Sequence, residues 1–360
     1  MTTENTNTTE INIDEFYGEK ELRWYQIATR NQCIKAIENG KKRILIHLCT
    51  GGGKTIVIAC TLGSPELKRV LGIHDRKLRI LFIAHNSRLL TQAERTFAEE
   101  NNVEIILQSM MSLVPQSIID EGWDVSVIDE AHHEACSSMQ MQLESIVGDK
   151  PIIGLTATPD RADGCIIKFE EIISPISREQ AVNEGYLAET YLNTIVDGSE
   201  RSKAEITIDI LNQYAHKMNG TLIFARTKKE VSAINTHIVK MGHKSVALLD
   251  QSADEMDDIL DSFSRKEVQF IVSCQRLSEG VDVKGCSDLI ISRSIGSYSL
   301  LNQIIGRAAR PDCDCNVYEI VNPLTKDNMD TTCIVGTPKE HKIIFQERGK
   351  WVEEFFDYTR

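Results

Sequence analysis

The chain has no stretch approaching ~20 consecutive apolar residues, the length a helix needs to cross a bilayer. No helical membrane span is therefore expected. Its first residues, MTTENTNTTEINIDEF, lack both the basic start and the apolar centre of a signal peptide. They are polar and slightly acidic, and residues 1–18 are expected to be a disordered leader. Positive charge is short as well: 40 Lys and Arg stand against 53 Asp and Glu, a formal net charge of −13. A protein coated in basic residues is excluded. A nucleic-acid partner is not, because affinity follows where cations converge and not their sum, so such a site has to be a local cleft.

Metal-ligand spacing is also missing. Among ten cysteines only Cys313 and Cys315 lie close together, and no second pair of Cys or His stands at zinc-like spacing from them. Cys33, Cys49, Cys60 and Cys274 sit inside apolar runs, where a free thiol behaves as a small buried hydrophobe. That usage suits a reducing compartment, and a cytoplasmic location is expected. No internal repeat is present, and no low-complexity segment beyond the leader.

What the chain does have is regular alternation. At 360 residues, with 41% apolar and 26% charged residues, it has room for two ordinary globular domains. Apolar runs RILIHL, KLRILFIAH, VEIILQS, DVSVIDE and PIIGLT occupy the first half, and TLIFAR, SVALLD, VQFIVSC, SDLIISR and NVYEIV the second. Helix-length patterns such as RLLTQAERTFAEE and KKEVSAINTHIVKM separate them. Continuous apolar strands belong to sheets covered on both faces, and β-α alternation implies parallel pairing. The expected fold is α/β, two doubly wound parallel-sheet domains in tandem. Loss of periodicity places a linker over 189–203, between a first domain at 19–188 and a second at 204–325. Residues 326–360 read as an extension in which WVEEFFDY forms a short closing helix.

Cys49-Thr50-Gly51-Gly52-Gly53-Lys54-Thr55 lies between a strand-like and a helix-like run. Glycines in that place let several backbone N–H groups turn toward one anion, and the helix N-terminus adds its positive end. Lys54 can then reach the β- and γ-phosphates, and the Thr55 hydroxyl can hold Mg²⁺. The plainer reading is a glycine turn with an incidental lysine, since strict spacing wants a glycine where Leu48 stands. Asp129-Glu130-Ala131-His132 follows the strand DVSVI. The aspartate at such a strand end can bind Mg²⁺ and the glutamate can position the attacking water, or the two carboxylates can simply start a helix. Both features in one domain make ATP hydrolysis the working reading, with ATP and Mg²⁺ as the ligands.

These motifs, in this order, resemble those of superfamily 2 helicases of the DEAH-lettered kind. The similarity is greatest to the branch that holds XPB, UvsW-type helicases and restriction-enzyme motors, and it runs over about residues 20–312. The resemblance implies two RecA-like domains with the nucleotide in the cleft between them. It implies adenine recognition by Arg23 and Gln26 in Leu22-Arg23-Trp24-Tyr25-Gln26, and a phosphate loop of Thr50, Gly51, Gly52, Gly53, Lys54 and Thr55. Thr156, Ala157 and Thr158 would couple nucleotide state to nucleic-acid grip, and Gly280 and Asp282 would touch the ribose. Asp129, Glu130 and His132 join Gln303, Arg307 and Arg310 as catalytic residues, with Arg310 as the arginine finger and Arg307 its neighbour. Cys49, where the family commonly has alanine or proline, departs from the pattern.

The same resemblance lays a strand of nucleic acid across both domains. Its contacts would be His85, Asn86, Arg88, Gln108 and Ser109 in the first, and Arg226, Thr227, Ser273 and Arg276 in the second. Arg88 by itself also reads as a solvated helix-start residue, and Trp24 and Trp123 as core residues. Residues 250–263, DQSADEMDDILDSF, are acidic where relatives tend to place an arginine. The implied activity is an ATP-driven helicase or translocase on DNA, single-stranded or branched, in replication, recombination or repair, with protein partners from those processes and none in a membrane. An RNA-remodelling enzyme and a nucleotide-gated clamp without turnover are the alternatives.

Overall fold

The computed structural model describes residues 16–17, 20–85, 87–98, 101–131, 137–157, 168–274, 283–295, 301, 304–306, 313–324 and 338–356. The chain divides into two compact units, Met1–Cys49 with Gly53–Ser177 and Thr50–Gly52 with Arg178–Arg360.

The first unit opens with β1 (Phe16–Tyr17) and β2 (Lys20–Glu21), a small antiparallel pair. The expected leader therefore ends in a strand at its last residues. Then come α1 (Trp24–Glu38), β3 (Arg43–His47), α2 (Lys54–Gly63), α3 (Pro65–Val70), β4 (Leu78–Ala84) and α4 (Ser87–Phe97). They are followed by β5 (Val103–Ser109), α5 (Gln116–Glu121), β6 (Val125–Ile128), α6 (Ser137–Val147), β7 (Ile152–Thr156) and β8 (Glu171–Ile173). The sheet runs β5-β4-β6-β7-β3-β8, and all its pairings are parallel. Every residue of β6 and β7 is buried, as unbroken apolar runs require when helices cover both faces.

The second unit holds α7 (Arg178–Asn183), β9 (Thr190–Val196), α8 (Lys203–Tyr214), β10 (Thr221–Ala225), α9 (Lys228–Lys240) and β11 (Ser245–Leu248). After these come α10 (Ala253–Ser264), β12 (Phe270–Ser273), β13 (Asp288–Ser292), β14 (Cys315–Val321), β15 (Glu340–Glu347) and β16 (Lys350–Phe355). The strand order is β11-β12-β10-β13-β14-β9-β15-β16. Successive residues of one strand feed opposite cores: Leu222, Phe224, Leu289 and Ile291 enter one, and Ile223, Ala225 and Ile290 the other. That two-sided burial is what a doubly wound sheet needs. Three of its helices, α8, α9 and α10, begin on capping boxes, Ser202 with Glu205, Thr227 with Glu230 and Ser252 with Glu255.

Three expectations are corrected. Residues 189–203 are not a linker: β9 runs through them and pairs with both β14 and β15 inside the second sheet. The unit boundary falls at Ser177–Arg178 instead. Residues 351–355 of WVEEFFDY belong to the strand Lys350–Phe355 and not to a helix, and Trp351 packs with Ile344 into the second unit's core. The second sheet is also not wholly parallel, because β15 and β16 form an antiparallel hairpin. Among the described residues no helix is long and apolar enough to cross a membrane.

Candidate nucleotide site

In the first unit the carboxyl ends of β3, β6 and β7 gather the residues expected to bind nucleotide. The loop after β3 turns through Gly51 at φ +88° and Gly53 at φ +82°, left-handed conformations that cost an L side chain about 1–2 kcal/mol. A second constraint acts on Gly53: a Cβ there would collide with Nε2 of Gln26. Gln26 is buried, and its Oε1 accepts the Arg23 backbone N–H at 3.0 Å. The start of α1 is thus seated against the last glycine of the loop. Arg23 in turn donates from Nη1 to the Tyr25 hydroxyl at 3.0 Å. Lys54 and Thr55 open α2 directly behind Gly53, and Thr50 and Gly52 complete the turn.

Opposite the loop, Asp129 and Glu130 leave β6. Glu130 is held at φ +50°, uncommon for a residue other than glycine. Such strain, roughly 1–3 kcal/mol, persists where the surroundings over-determine it. Here they do: the Asp129 backbone N–H is bonded to the Ile83 carbonyl at 2.9 Å and that of Ala131 to the Leu155 carbonyl at 2.9 Å. Asp129 Oδ1 accepts the Glu130 N–H at 3.1 Å. Glu130 is thereby aimed at the loop, its Oε1 3.9 Å from Lys54 Nζ, with both side chains largely enclosed. Gly154 of β7 lets this segment lie close. A Cβ there would stand 2.6 Å from Phe169 Cζ and 3.0 Å from Ala131 Cβ. Sequence reading had not singled out Gly154, since its role depends on two residues distant along the chain.

Thr156 ends β7, fully buried, and its carbonyl accepts the Leu48 N–H at 3.1 Å. Ala157 follows it, also buried. Thr156 of the expected coupling segment is therefore tied by backbone to Leu48, two residues ahead of the phosphate loop.

The expected nucleic-acid residues fare unevenly. His85 and Ser109 lie at the ends of the paired strands β4 and β5, where Ala84 stands opposite Ser109. Gln108, however, is buried. Its amide donates to the Ser109 carbonyl at 2.9 Å and to the Ser112 carbonyl and hydroxyl at 3.1 and 3.0 Å, so it braces a turn and is not offered to a strand. Ser273 is fully buried, which removes it as a surface contact. Thr227 caps α9 by accepting the Glu230 N–H at 3.2 Å. Arg226 is exposed. Trp123 is a core residue, donating from Nε1 to Ser126 Oγ at 2.7 Å. Arg88 lies in α4. His132, Gln303, Arg307, Arg310, Gly280, Asp282, Asn86, Arg276 and Thr158 lie outside the described residues.

A glycine turn with left-handed Gly51 and Gly53 ahead of a helix N-terminus fits a polyphosphate, and the Thr55 hydroxyl and Asp129 carboxylate are hard oxygen donors of the kind Mg²⁺ takes. Fold and loop together define an α/β protein of the two-domain, RecA-like helicase architecture.

Comparison with known proteins agrees. Residues 202–312 match the Helicase conserved C-terminal domain, and residues 19–112 match the Type III restriction enzyme, res subunit. IRC3 of Saccharomyces cerevisiae, described as an ATP-dependent helicase, is 23% identical over 349 residues, covering 83% of this chain and 50% of that protein. The type I restriction enzyme EcoAI endonuclease subunit of Escherichia coli is 22% identical over 361 residues, covering 81% of this chain and 44% of its own length. Among solved structures, a fragment of an HsdR subunit of a type I restriction enzyme from Vibrio vulnificus YJ016 superposes with a TM-score of 0.70 at 20% identity, covering 94% of this chain and 71% of that one. This chain thus spans half or less of the length of these two curated relatives. The matched segments are those of a helicase C-terminal domain and of a restriction-enzyme res subunit.

Proposed function

We propose that this chain is an ATP-driven motor of the DEAH-lettered kind that moves along nucleic acid without reading its sequence, with DNA its preferred track. The observation that carries the reading is the arrangement of Lys54 and Glu130, 3.9 Å apart behind a glycine turn whose last member, Gly53, has no room for a Cβ beside Gln26. Lys54 binds the β- and γ-phosphates, the loop N–H groups hold the remaining oxygens, and Gln26 with Arg23 reads the adenine. Thr55 and Asp129 would hold Mg²⁺, which neutralises phosphate charge when bound. Glu130 orients the attacking water and draws off its proton. Arg310 supplies the finger on the γ-phosphate with Arg307 beside it, worth roughly 10³–10⁵ in rate. Gly280 and Asp282 contact the ribose, and Thr156, Ala157 and Thr158 pass the nucleotide state to the strand-binding residues.

The restriction-enzyme similarities favour DNA, in replication, recombination or repair, with partners from those processes. Every cysteine among the described residues is a free thiol, in keeping with a reducing compartment such as the cytoplasm. The test is an ATPase titration with single-stranded DNA, duplex DNA, a branched junction and RNA, paired with unwinding of 3′- and 5′-tailed duplexes. Stimulation by DNA above RNA is the expected result. Stimulation by RNA alone would move the proposal to RNA remodelling, and turnover indifferent to every nucleic acid would end it.

A further inference from the structure

β16 closes the second sheet, and among the described residues it pairs with β15 alone, so its outer side is an open edge. Arg348 and Gly349 join the two strands, both left-handed at φ +52° and +77°, a two-residue turn whose twist fits a hairpin. At the far end the Phe356 N–H donates to the His341 carbonyl at 2.8 Å. Bonded pairs alternate along an antiparallel ladder, so Lys350, Val352 and Glu354 turn their main-chain groups toward β15. Those of Trp351, Glu353 and Phe355 turn outward. Gln213 Nε2 reaches one of them, the Trp351 carbonyl, at 3.4 Å. That carbonyl keeps a second lone pair.

An open edge is a template for another strand, and proteins blunt such edges with charge. Here the charges have a pattern. Lys350 and Glu354 are exposed, lie on one face of β16 and flank Val352 at equal spacing. Neither forms an ion pair among the described residues, although Glu347 stands opposite Lys350 in the hairpin. On the other face Glu353 is already matched, its Oε2 3.5 Å from Lys342 Nζ. Opposite charges set symmetrically about a centre are self-complementary: an antiparallel copy of the strand brings each against its opposite.

Outward groups meet outward groups when a two-fold axis passes through Trp351, Val352 or Glu353. An axis at Trp351 aligns only residues 350–352 of the two strands. An axis at Glu353 sets that carboxylate against itself, a destabilising pair of like charges. An axis at Val352 aligns residues 350–354 and places Lys350 against Glu354 at both ends, while Trp351 and Glu353 exchange main-chain bonds. Phe355, 71% exposed, then falls opposite Gly349, where its ring can cover bare backbone. We propose that β16 is a self-association surface: two copies of this chain join their edges antiparallel about Val352, and the sheets of their second units run on into one. A strand edge of this length buries less than the ~1,200 Å² of a standard interface, so the dimer is weak and concentration-dependent. The contact uses no residue of the nucleotide site.

Sedimentation velocity of the full chain, free of nucleotide and nucleic acid, is run from about 1 μM to several hundred μM. The wild type is expected to shift from monomer toward dimer over that range. Lys350→Glu and Glu354→Lys each set like charges opposite at both ends, and each is expected to weaken the dimer about tenfold or more. Mixed in equal amounts, the two variants are expected to associate again, because one offers acid at both positions and the other base. The double variant Lys350→Glu/Glu354→Lys should recover as well. Glu353→Pro removes an outward N–H, leaves the bonds to β15 in place and should abolish pairing by a route independent of charge. Thermal melting checks each fold, and if Glu353→Pro lowers the melting temperature, the charge variants decide alone. A wild type that stays monomeric throughout overturns the proposal. So does a dimer that the charge reversals leave unchanged, or a pair of reversed variants that stay apart when mixed.

Discussion

Lys54 Nζ stands 3.9 Å from Oε1 of Glu130, beyond a direct hydrogen bond yet within strong mutual attraction, and the left-handed backbone of Glu130 sets that distance. Lys54→Ala removes the phosphate contact and is expected to abolish turnover together with most ATP affinity. Glu130→Gln keeps the shape and loses the carboxylate, so it should cut turnover by at least ~10²-fold while leaving ATP and strand binding largely intact. Steady-state ATPase assays with equilibrium nucleotide binding separate the two. Near-normal hydrolysis by Glu130→Gln would remove the water-positioning role.

Gly53 is constrained twice, by φ +82° and by Gln26 Nε2. Gly53→Ala is therefore expected to cost about 1–2 kcal/mol from the backbone alone, with a further loss from displacing Gln26. The double variant Gly53→Ala/Gln26→Ala should recover part of that further loss, as a double-mutant cycle on melting and nucleotide affinity would read. Additive losses would show that the contact contributes nothing.

Trp351 is only 9% exposed and packs in the second unit's core, and its carbonyl accepts Gln213 Nε2 at 3.4 Å. Trp351→Ala should destabilise that unit by about 3–5 kcal/mol, read as a lowered denaturant midpoint. A detached C-terminal extension would leave the midpoint where it was.

Asp124 sits at the opposite end of the first sheet from the nucleotide loop. Burial raises its pKa, but the bond from Arg76, the Arg79 backbone N–H and the charges of Arg76 and Lys150 outweigh that and hold it below its ordinary value of 3.8. A depressed carboxylate contributes stability above its unfolded pKa, and that contribution is lost as pH falls through the lower native value. Arg76 is half exposed, so Arg76→Ala should cost ~1 kcal/mol or less at pH 7. The difference between variant and wild type should shrink below about pH 4 in an acid-melting series. A gap that widened instead would place the stabilisation elsewhere.

Much of the fold and part of the site were legible without coordinates. Runs such as VSVI and IIGLT report two-sided burial directly, and Gly51-Gly52-Gly53-Lys54-Thr55 carries its turn in its own residue types. Gln108 and Ser273 misled because a polar residue at a strand end looks the same whether it faces solvent or braces a turn. Gln108 is spent on Ser109 and Ser112, and Ser273 is enclosed between neighbouring strands.

By itself, then, the order of residues determined which apolar runs are the central strands β3 to β7 and β10 to β14, where the phosphate turn falls and which acids follow β6, because each depends on neighbours within a few positions. Only the tertiary structure decided that β9 and the β15–β16 hairpin join the second sheet, since pairing Thr194 with Glu319 and Ile343 is a contest between segments far apart in the chain. It also decided which polar groups stay open to a ligand. Burial is a property of what packs on top of a residue, and no local stretch of sequence contains that information.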